Sequence, residues 1–192
     1  MSKAGNVHGP TLRTDSANFR EHFGWAVRLS RVTSAEVVPR RVDGGWPEPL
    51  LDCYTHDRLQ LVRIAYLITG NPHVAEELVH DAFVATLRSW NQVRAPKPYV
   101  RAAVVNASRS WLRRRKLERA HVHDRPEPSM ASPDELADVL GRLNPRQRTA
   151  VVLRYYEGLP DAEIAEVLGS RVATVRTLIH RALGALRKEI YR

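Results

Sequence analysis

The chain is predicted to be all-α, built as two small helical domains joined by a flexible linker. Three observations predict this. From about residue 50 onward, apolar residues recur at helical spacing and no segment alternates with the period of a strand. Two Asn-Pro pairs, Asn71-Pro72 and Asn144-Pro145, mark helix starts, with asparagine as cap and proline in the first turn. Between the periodic zones, residues 120–132 hold Pro126, Pro128, Ser129 and Ser132 with few apolar groups, the composition of a linker. The expected organisation is an N-terminal extension over 1–49, a first domain over 50–119, the linker over 120–132 and a second domain over 133–192.

Composition narrows the function before any motif does. The 192 residues carry a net charge of +9 and a pI of about 10.3. A field of that sign favours a polyanion, either nucleic acid or an acidic membrane surface. The basic residues fall in two groups, seven Arg/Lys against Glu118 between Arg101 and Arg119, and six against Glu189 from Arg171 onward. Two separate basic segments suit a long polyanion touched at two places better than one membrane patch. No apolar run approaches the roughly 20 residues that cross a bilayer, and the amino terminus lacks an apolar signal core. The chain is therefore expected in the cytoplasm. Cys53 is the only cysteine, which excludes an intrachain disulfide and a CxxC metal site and reads as a core residue.

In the first domain, Leu51, Tyr54, Leu61, Ile64, Ala65 and Ile68 share one face of a helix over about 50–68, closed by Gly70. The helix over 72–90 buries Ala75, Leu78, Val79, Ala82, Phe83, Thr86 and Trp90, and its other side carries Glu76, Glu77, His80, Asp81 and Val84. On pattern alone that acidic side is either a solubility feature or a surface for a partner. As an enzyme or metal site it lacks a second cluster of ligands, and one helix of Glu, His and Asp seldom suffices. No catalytic residue, metal or cofactor is expected. Pro96 and Pro98 punctuate the loop before a helix over 98–118, where Val100, Ala103, Val104, Ala107 and Trp111 face inward. Arg101, Asn106, Arg109, Arg113, Arg114, Arg115 and Lys116 cover its other faces. Arginine forks grip phosphates and asparagine holds a base edge. Trp111 reads as core before it reads as a stacking platform; Tyr99, beside the loop, is the better candidate for unstacked bases.

The second domain begins with a capping box at Ser132, Pro133 and Glu135, followed by an apolar face of Leu136, Val139, Leu140 and Leu143. The helix after Asn144-Pro145 carries Ala150, Val151, Leu153, Arg154 and Tyr155 and stops at Gly158. From Leu159 to Arg181 the chain then lays two short helices around Gly169. Ile164, Ala165 and Leu168 line the first, and Val172, Val175, Ile179 and Leu183 the second. Arg171, Thr174, Arg176, Thr177 and Arg181 stand on the outside of the second helix. That is the layout of a helix-turn-helix, whose second helix enters the major groove, although a helical hairpin with a solvated basic face has the same pattern.

L-N-P-R-Q-R-T-A-V-V-L-R-Y-Y-E-G-L-P-D-A-E-I-A-E-V-L-G, residues 143–169, and A-T-V-R-T-L-I-H-R-A-L-G-A-L-R, residues 173–187, resemble region four of bacterial extracytoplasmic-function sigma factors of the sigma-70 family. R-I-A-Y-L-I-T-G-N-P-H-V-A-E-E-L-V-H-D-A-F and P-Y-V-R-A-A-V-V-N-A-S-R-S-W-L-R-R-R resemble region two, with wording most similar to an actinobacterial SigE-like subgroup. The resemblance runs from about residue 50 to the end, with both regions in order. It implies a protein that binds core RNA polymerase, directs it to promoter DNA and helps open the duplex. It implies that Glu77, His80 and Asp81 dock on the clamp helices of the polymerase's largest subunit. It further implies that Tyr99, Asn106, Arg109 and Arg113 meet the minus-ten element, and that Arg171, Thr174, Arg176, Thr177 and Arg181 read the minus-thirty-five element. An anti-sigma factor is a family-level expectation, and no membrane or small-molecule substrate is implied.

This chain departs from the family at several positions. His80 stands where glutamine is usual, Pro160 and Arg171 stand where serine is usual, and Leu178 replaces a common basic residue. Asp161 and Ser170 are therefore expected to cap the two helices of the motif. Two rivals stay open: a stand-alone helix-turn-helix regulator, and an enzyme using the acidic face. Residues 1–49 lie outside the resemblance. They read as a disordered leader, a short docking helix around Phe19, Phe23, Ala26 and Val27, or an artefact of an upstream start codon.

Overall fold

The protein is described from a computed structural model over residues 45–121 and 135–190. Helix α1 spans Glu48–Thr69, behind Pro47, and ends at Gly70. Gly70 has φ 73°, and its N–H donates to the Tyr66 carbonyl, a left-handed cap that glycine adopts without Cβ strain. One residue later Asn71 accepts from the Val74 N–H at 3.1 Å and starts α2, Pro72–Arg88. A 3₁₀ turn at Trp90–Gln92 finishes the region predicted as the end of that helix. Helix α3, Pro96–His121, starts two residues before its expected start, because Pro96 and Pro98 both sit in the first turn, where a missing N–H costs nothing.

These three helices pack on one another around Ile64, Ile68, Val79, Phe83, Val100 and Val104, all buried. Trp46 lies against Phe83 at 5.9 Å between ring centroids and against Tyr54 at 5.2 Å. The first domain therefore includes residues from at least Trp46, which the sequence placed in the extension. Phe19, Phe23, Ala26 and Val27 lie outside the described residues. Cys53 is buried, as expected, and burial together with Asp57 pushes its thiol up to about 11.

The second domain holds α4, Glu135–Gly141, and α5, Pro145–Val151. Asn144 caps α5, its side chain accepting from the Gln147 N–H at 2.9 Å. Asn144→Ala is expected to cost about 1 kcal/mol of stability through that lost acceptor, read as a shift of the denaturant midpoint with an unchanged slope. The expected capping box at Ser132 and Pro133 lies outside the described residues. Of the expected stripe, Leu140 and Leu143 are buried and Val139 is half-buried, but Leu136 is 49 % exposed and Ala137 takes its place on the inner face of α4. The turn after α5, Val152–Tyr156, is π-helical: the Glu157 N–H donates to the Val152 carbonyl at 3.2 Å. The extra residue in that turn rotates the next residues by about 100° relative to a continuous α-helix. Tyr155 and Tyr156 face solvent as a result, and the Glu157 side chain turns toward the first domain. Gly158, with φ 71°, ends the element.

Helices α6, Asp161–Leu168, and α7, Val172–Ile190, form the hairpin. Gly169 joins them at φ 59°. No strand occurs among the described residues. The two domains pack against each other: α1 meets α4 and α5, and α3 meets α5 and α6. Arg148 of α5 reaches across to donate to the Ile68 carbonyl at 2.8 Å and also donates to the Gly141 carbonyl.

Candidate nucleic-acid interface

Helix α7 separates two kinds of residue. Val175 and Ala182 are fully buried and Ile179 nearly so, while Val172, Leu178 and Leu183 are half-buried at the edges of the seam. Arg171, Arg176, Thr177 and Arg181 are exposed, and Thr174 is half-buried. The outer face thus offers three guanidinium groups and two hydroxyls on a rigid helix. Thr177 returns its hydroxyl hydrogen to the Ala173 carbonyl at 3.0 Å, leaving the oxygen as an acceptor. Arg176 donates through Nε to the Asp161 carboxylate at 3.2 Å, a contact across the hairpin that leaves its two outer nitrogens exposed.

That ion pair corrects the expected capping. Asp161 is the first residue of α6 and its carboxylate engages Arg176, while Pro160 at the cap position supplies no side-chain acceptor. Ser170 does not cap α7 either: its hydroxyl is buried without a hydrogen-bond partner. Proline's fixed backbone and the acidic first turn of α6 hold the helix start in place of a cap.

Helix α3 presents the second cationic surface. Asn106 donates to the Ala102 carbonyl at 2.8 Å and its carbonyl oxygen accepts from Arg109 at 3.2 Å, so the two side chains are held as a pair. Burial lowers the Arg109 pKa, and Arg146 and Arg113 add to the effect, which places a cluster of like charges around it. Arg113 and Arg114 are exposed. Three expectations fail here. Tyr99 is only 7 % exposed, its hydroxyl near Ser89, so in this arrangement no base stacks on its ring. Trp111 is half-buried, with Arg115 4.9 Å above its ring, so it belongs to the surface of α3 and not to the core. Arg101, expected outside, is buried. Its two acidic partners lie in the other domain, and their pairing depends on residues 56 and 62 positions away, which no local pattern reports.

On α2 the polar side is as drawn from the sequence. Glu76, Glu77, His80 and Asp81 are exposed, and Ala75, Val79, Ala82 and Phe83 are buried on the opposite face. Among the described residues no cluster of His, Cys, Asp and Glu could hold a metal ion. No helix among them is long and apolar enough to cross a membrane.

The family models for sigma-70 region 2 and sigma-70 region 4 match residues 53–118 and 134–186. The RNA polymerase sigma-E factors of Streptomyces coelicolor and Streptomyces avermitilis are 35 % and 34 % identical over 140 residues. Each alignment covers 68 % of this chain and 79 % or 78 % of the relative. The chain belongs to the extracytoplasmic-function sigma factors. Among solved structures, the sigma factor RpoE of Bartonella quintana, in complex with the anti-sigma factor NepR, superposes with a TM-score of 0.61 at 18 % identity. That match covers 73 % of this chain and 96 % of RpoE, and it bears on the fold alone. Mycobacterium tuberculosis SigJ superposes at 0.52 with 29 % identity, over 71 % of this chain and 52 % of SigJ. As a member of this family the sigma factor is a transcription initiation factor that directs RNA polymerase to promoters, which sets aside the stand-alone regulator.

Proposed function

We propose that the sigma factor works as a two-point promoter clamp completed by the polymerase. The observation that carries this is the division of labour between two faces: the exposed Arg171 just before α7 with Arg176, Thr177 and Arg181 on it, and the paired Asn106 and Arg109 on α3. Helix α7 enters the major groove of the minus-thirty-five element, with Thr174 at the edge of the contact. Guanidinium groups there release counterions from the phosphates, so affinity falls steeply with salt. The Asn106–Arg109 pair, with Arg113 beside it, holds bases that leave the stack in the minus-ten element, a step that costs a few kcal/mol to unpair. Glu77, His80 and Asp81 on α2 dock on a basic surface of the polymerase. Binding the polymerase links the two DNA contacts and raises the effective concentration of each for the other.

The chain performs no bond chemistry of its own in this scheme and acts in the compartment that holds the polymerase, the cytoplasm. An anti-sigma protein joins the partners we propose, because RpoE and CnrH, which share the fold, are described in complex with NepR and CnrY. Reconstituted transcription tests the whole scheme: core polymerase with this protein starts RNA at a specific promoter, and failure across several family-type promoters with folded protein sinks it. Arg176→Ala is expected to lose about 1–3 kcal/mol of discrimination at the minus-thirty-five element, as one base-edge contact does. Binding of the variant to core polymerase, measured by fluorescence titration, should stay at the wild-type value.

A further inference from the structure

Helix α1 is apolar on two sides. Cys53, Leu61, Ile64 and Ile68 are buried, on the side that packs against α2 and α3. On the other side Leu51, Thr55, Leu59, Val62 and Tyr66 follow one another at spacings of three and four. At 3.6 residues per turn these five positions fall within about 80° of one another. Leu51, which the periodicity places inside, is 49 % exposed, and Leu59 is 77 % exposed. Val62 and Tyr66 are half-buried. A surface helix ordinarily turns charged and polar residues outward. The promoter clamp has no use for an outward apolar stripe on α1.

The chain itself arrives at the end of this stripe. Trp46 sits edge-on to Tyr54 at 5.2 Å between centroids, and Tyr54 lies three positions from Leu51. Residues 1–44, outside the described residues, therefore join the domain beside Leu51. Among them Phe19, Phe23, Ala26 and Val27 recur at helical spacing, an apolar set that the promoter clamp leaves unused. Phe19 to Val27 and Leu51 to Leu59 are each a step of eight positions. At the helical rise, both steps are about 12 Å. The stretch 28–44 between Val27 and the domain reaches about 56 Å when fully extended, several times that length. A tether of this kind holds the segment at roughly millimolar local concentration, which favours it over a second copy of the chain. The match to sigma-70 region 2 begins at residue 53, so Trp46, Leu51 and the segment all lie outside it.

We propose that the outer stripe of α1 is the docking surface for residues 19–27 of the same chain, which seat Phe19, Phe23 and Val27 over Leu51 and Leu59. Burial of these side chains drives the contact, and Trp46 fixes the end from which the segment approaches. The N-terminal extension is then a part of the first domain and not a leader beside it.

The test uses the full chain with Leu51 replaced by the photo-crosslinking residue p-benzoylphenylalanine, which the exposure of that position accommodates. Irradiation and peptide mapping are expected to join it to residues 19–27 of the same molecule. Leu59→Glu and Phe23→Glu, each added to that protein, should lower the yield of this crosslink about tenfold, since burying either side chain contributes at least that factor. Leu59 is exposed, so Leu59→Glu is expected to keep the helical content of the parent, read by circular dichroism. His56→Glu, on the exposed flank of α1, adds the same charge beside the stripe and should leave the yield unchanged. A crosslink only to a second copy of the chain, a crosslink only to core polymerase once it is added, or none at all overturns the proposal. Equal yields in Leu59→Glu and His56→Glu overturn it as well. So does a native amino terminus, read by mass spectrometry, that lies beyond Val27.

Discussion

Asp81→Arg is expected to weaken binding to core RNA polymerase on the order of a hundredfold while leaving the fold intact. Asp81 is exposed in the middle of α2, on the side away from Phe83 and Val79, so a longer cation fits without displacing the core. The magnitude comes from the change of sign. A carboxylate facing a basic surface becomes a cation facing it, and like charges across an interface cost several kcal/mol, where each 1.4 kcal/mol is a factor of ten. The binding is read by titration of labelled protein with core polymerase, and the fold by thermal unfolding. The variant should still present α7 to DNA, so residual binding of the free protein to minus-thirty-five duplex should match the wild type. This is the mirror of Arg176→Ala, which spares the polymerase and harms the promoter. If Asp81→Arg binds polymerase like the wild type, the acidic side of α2 is a solubility feature and the docking surface lies elsewhere.

Phe83→Ala should destabilise the protein by about 3–5 kcal/mol, the cost of removing a buried phenyl ring and leaving a cavity. Phe83 is fully buried and stands between Trp46 and Tyr54, stacked on the first with 28° between planes and edge-on to the second at 77°. Removing it leaves Trp46 and Tyr54 in contact with each other but facing the cavity. Against a total stability of about 5–15 kcal/mol, that loss is a large fraction of the whole. Chemical denaturation with an unchanged slope measures it, and the fluorescence of Trp46 should report the loosened cluster. A loss under about 1 kcal/mol would mean the three rings are not packed together in solution.

The helix starts illustrate what is local. Asn71 and Asn144 cap because their side chains reach an N–H three residues on, a contact complete within four residues of sequence. Gly70, Gly158 and Gly169 take positive φ where a helix must end, again without help from outside. The inward seam of α7 and its outward arginines follow from periodicity alone, and so does the acidic side of α2. The family resemblance of both regions lay in these same stretches.

Other features needed the opposite surface. Leu136 was placed inside by its spacing and is exposed, because a seven-residue helix touching α1 and α7 buries only a narrow stripe. Asp161 had the chemistry of a cap and became an ion pair, since α7 brings Arg176 within 3.2 Å. Tyr99 and Trp111 exchanged their expected places for the same reason.

By itself the sequence determined the all-helical class, the helix starts at Asn71 and Asn144, the glycine stops, the acidic side of α2 and the outward arginines of α7. Each depends on contacts within a turn or two, where backbone geometry leaves few choices. The tertiary structure alone decided that Trp46 joins the first domain and that Glu157 turns inward. It alone decided that Arg101 is a buried tie between domains and not another phosphate-binding arginine. A charge is buried only where its counter-charges are brought to it. Those of Arg101 come from residues 157 and 163, across the packed interface.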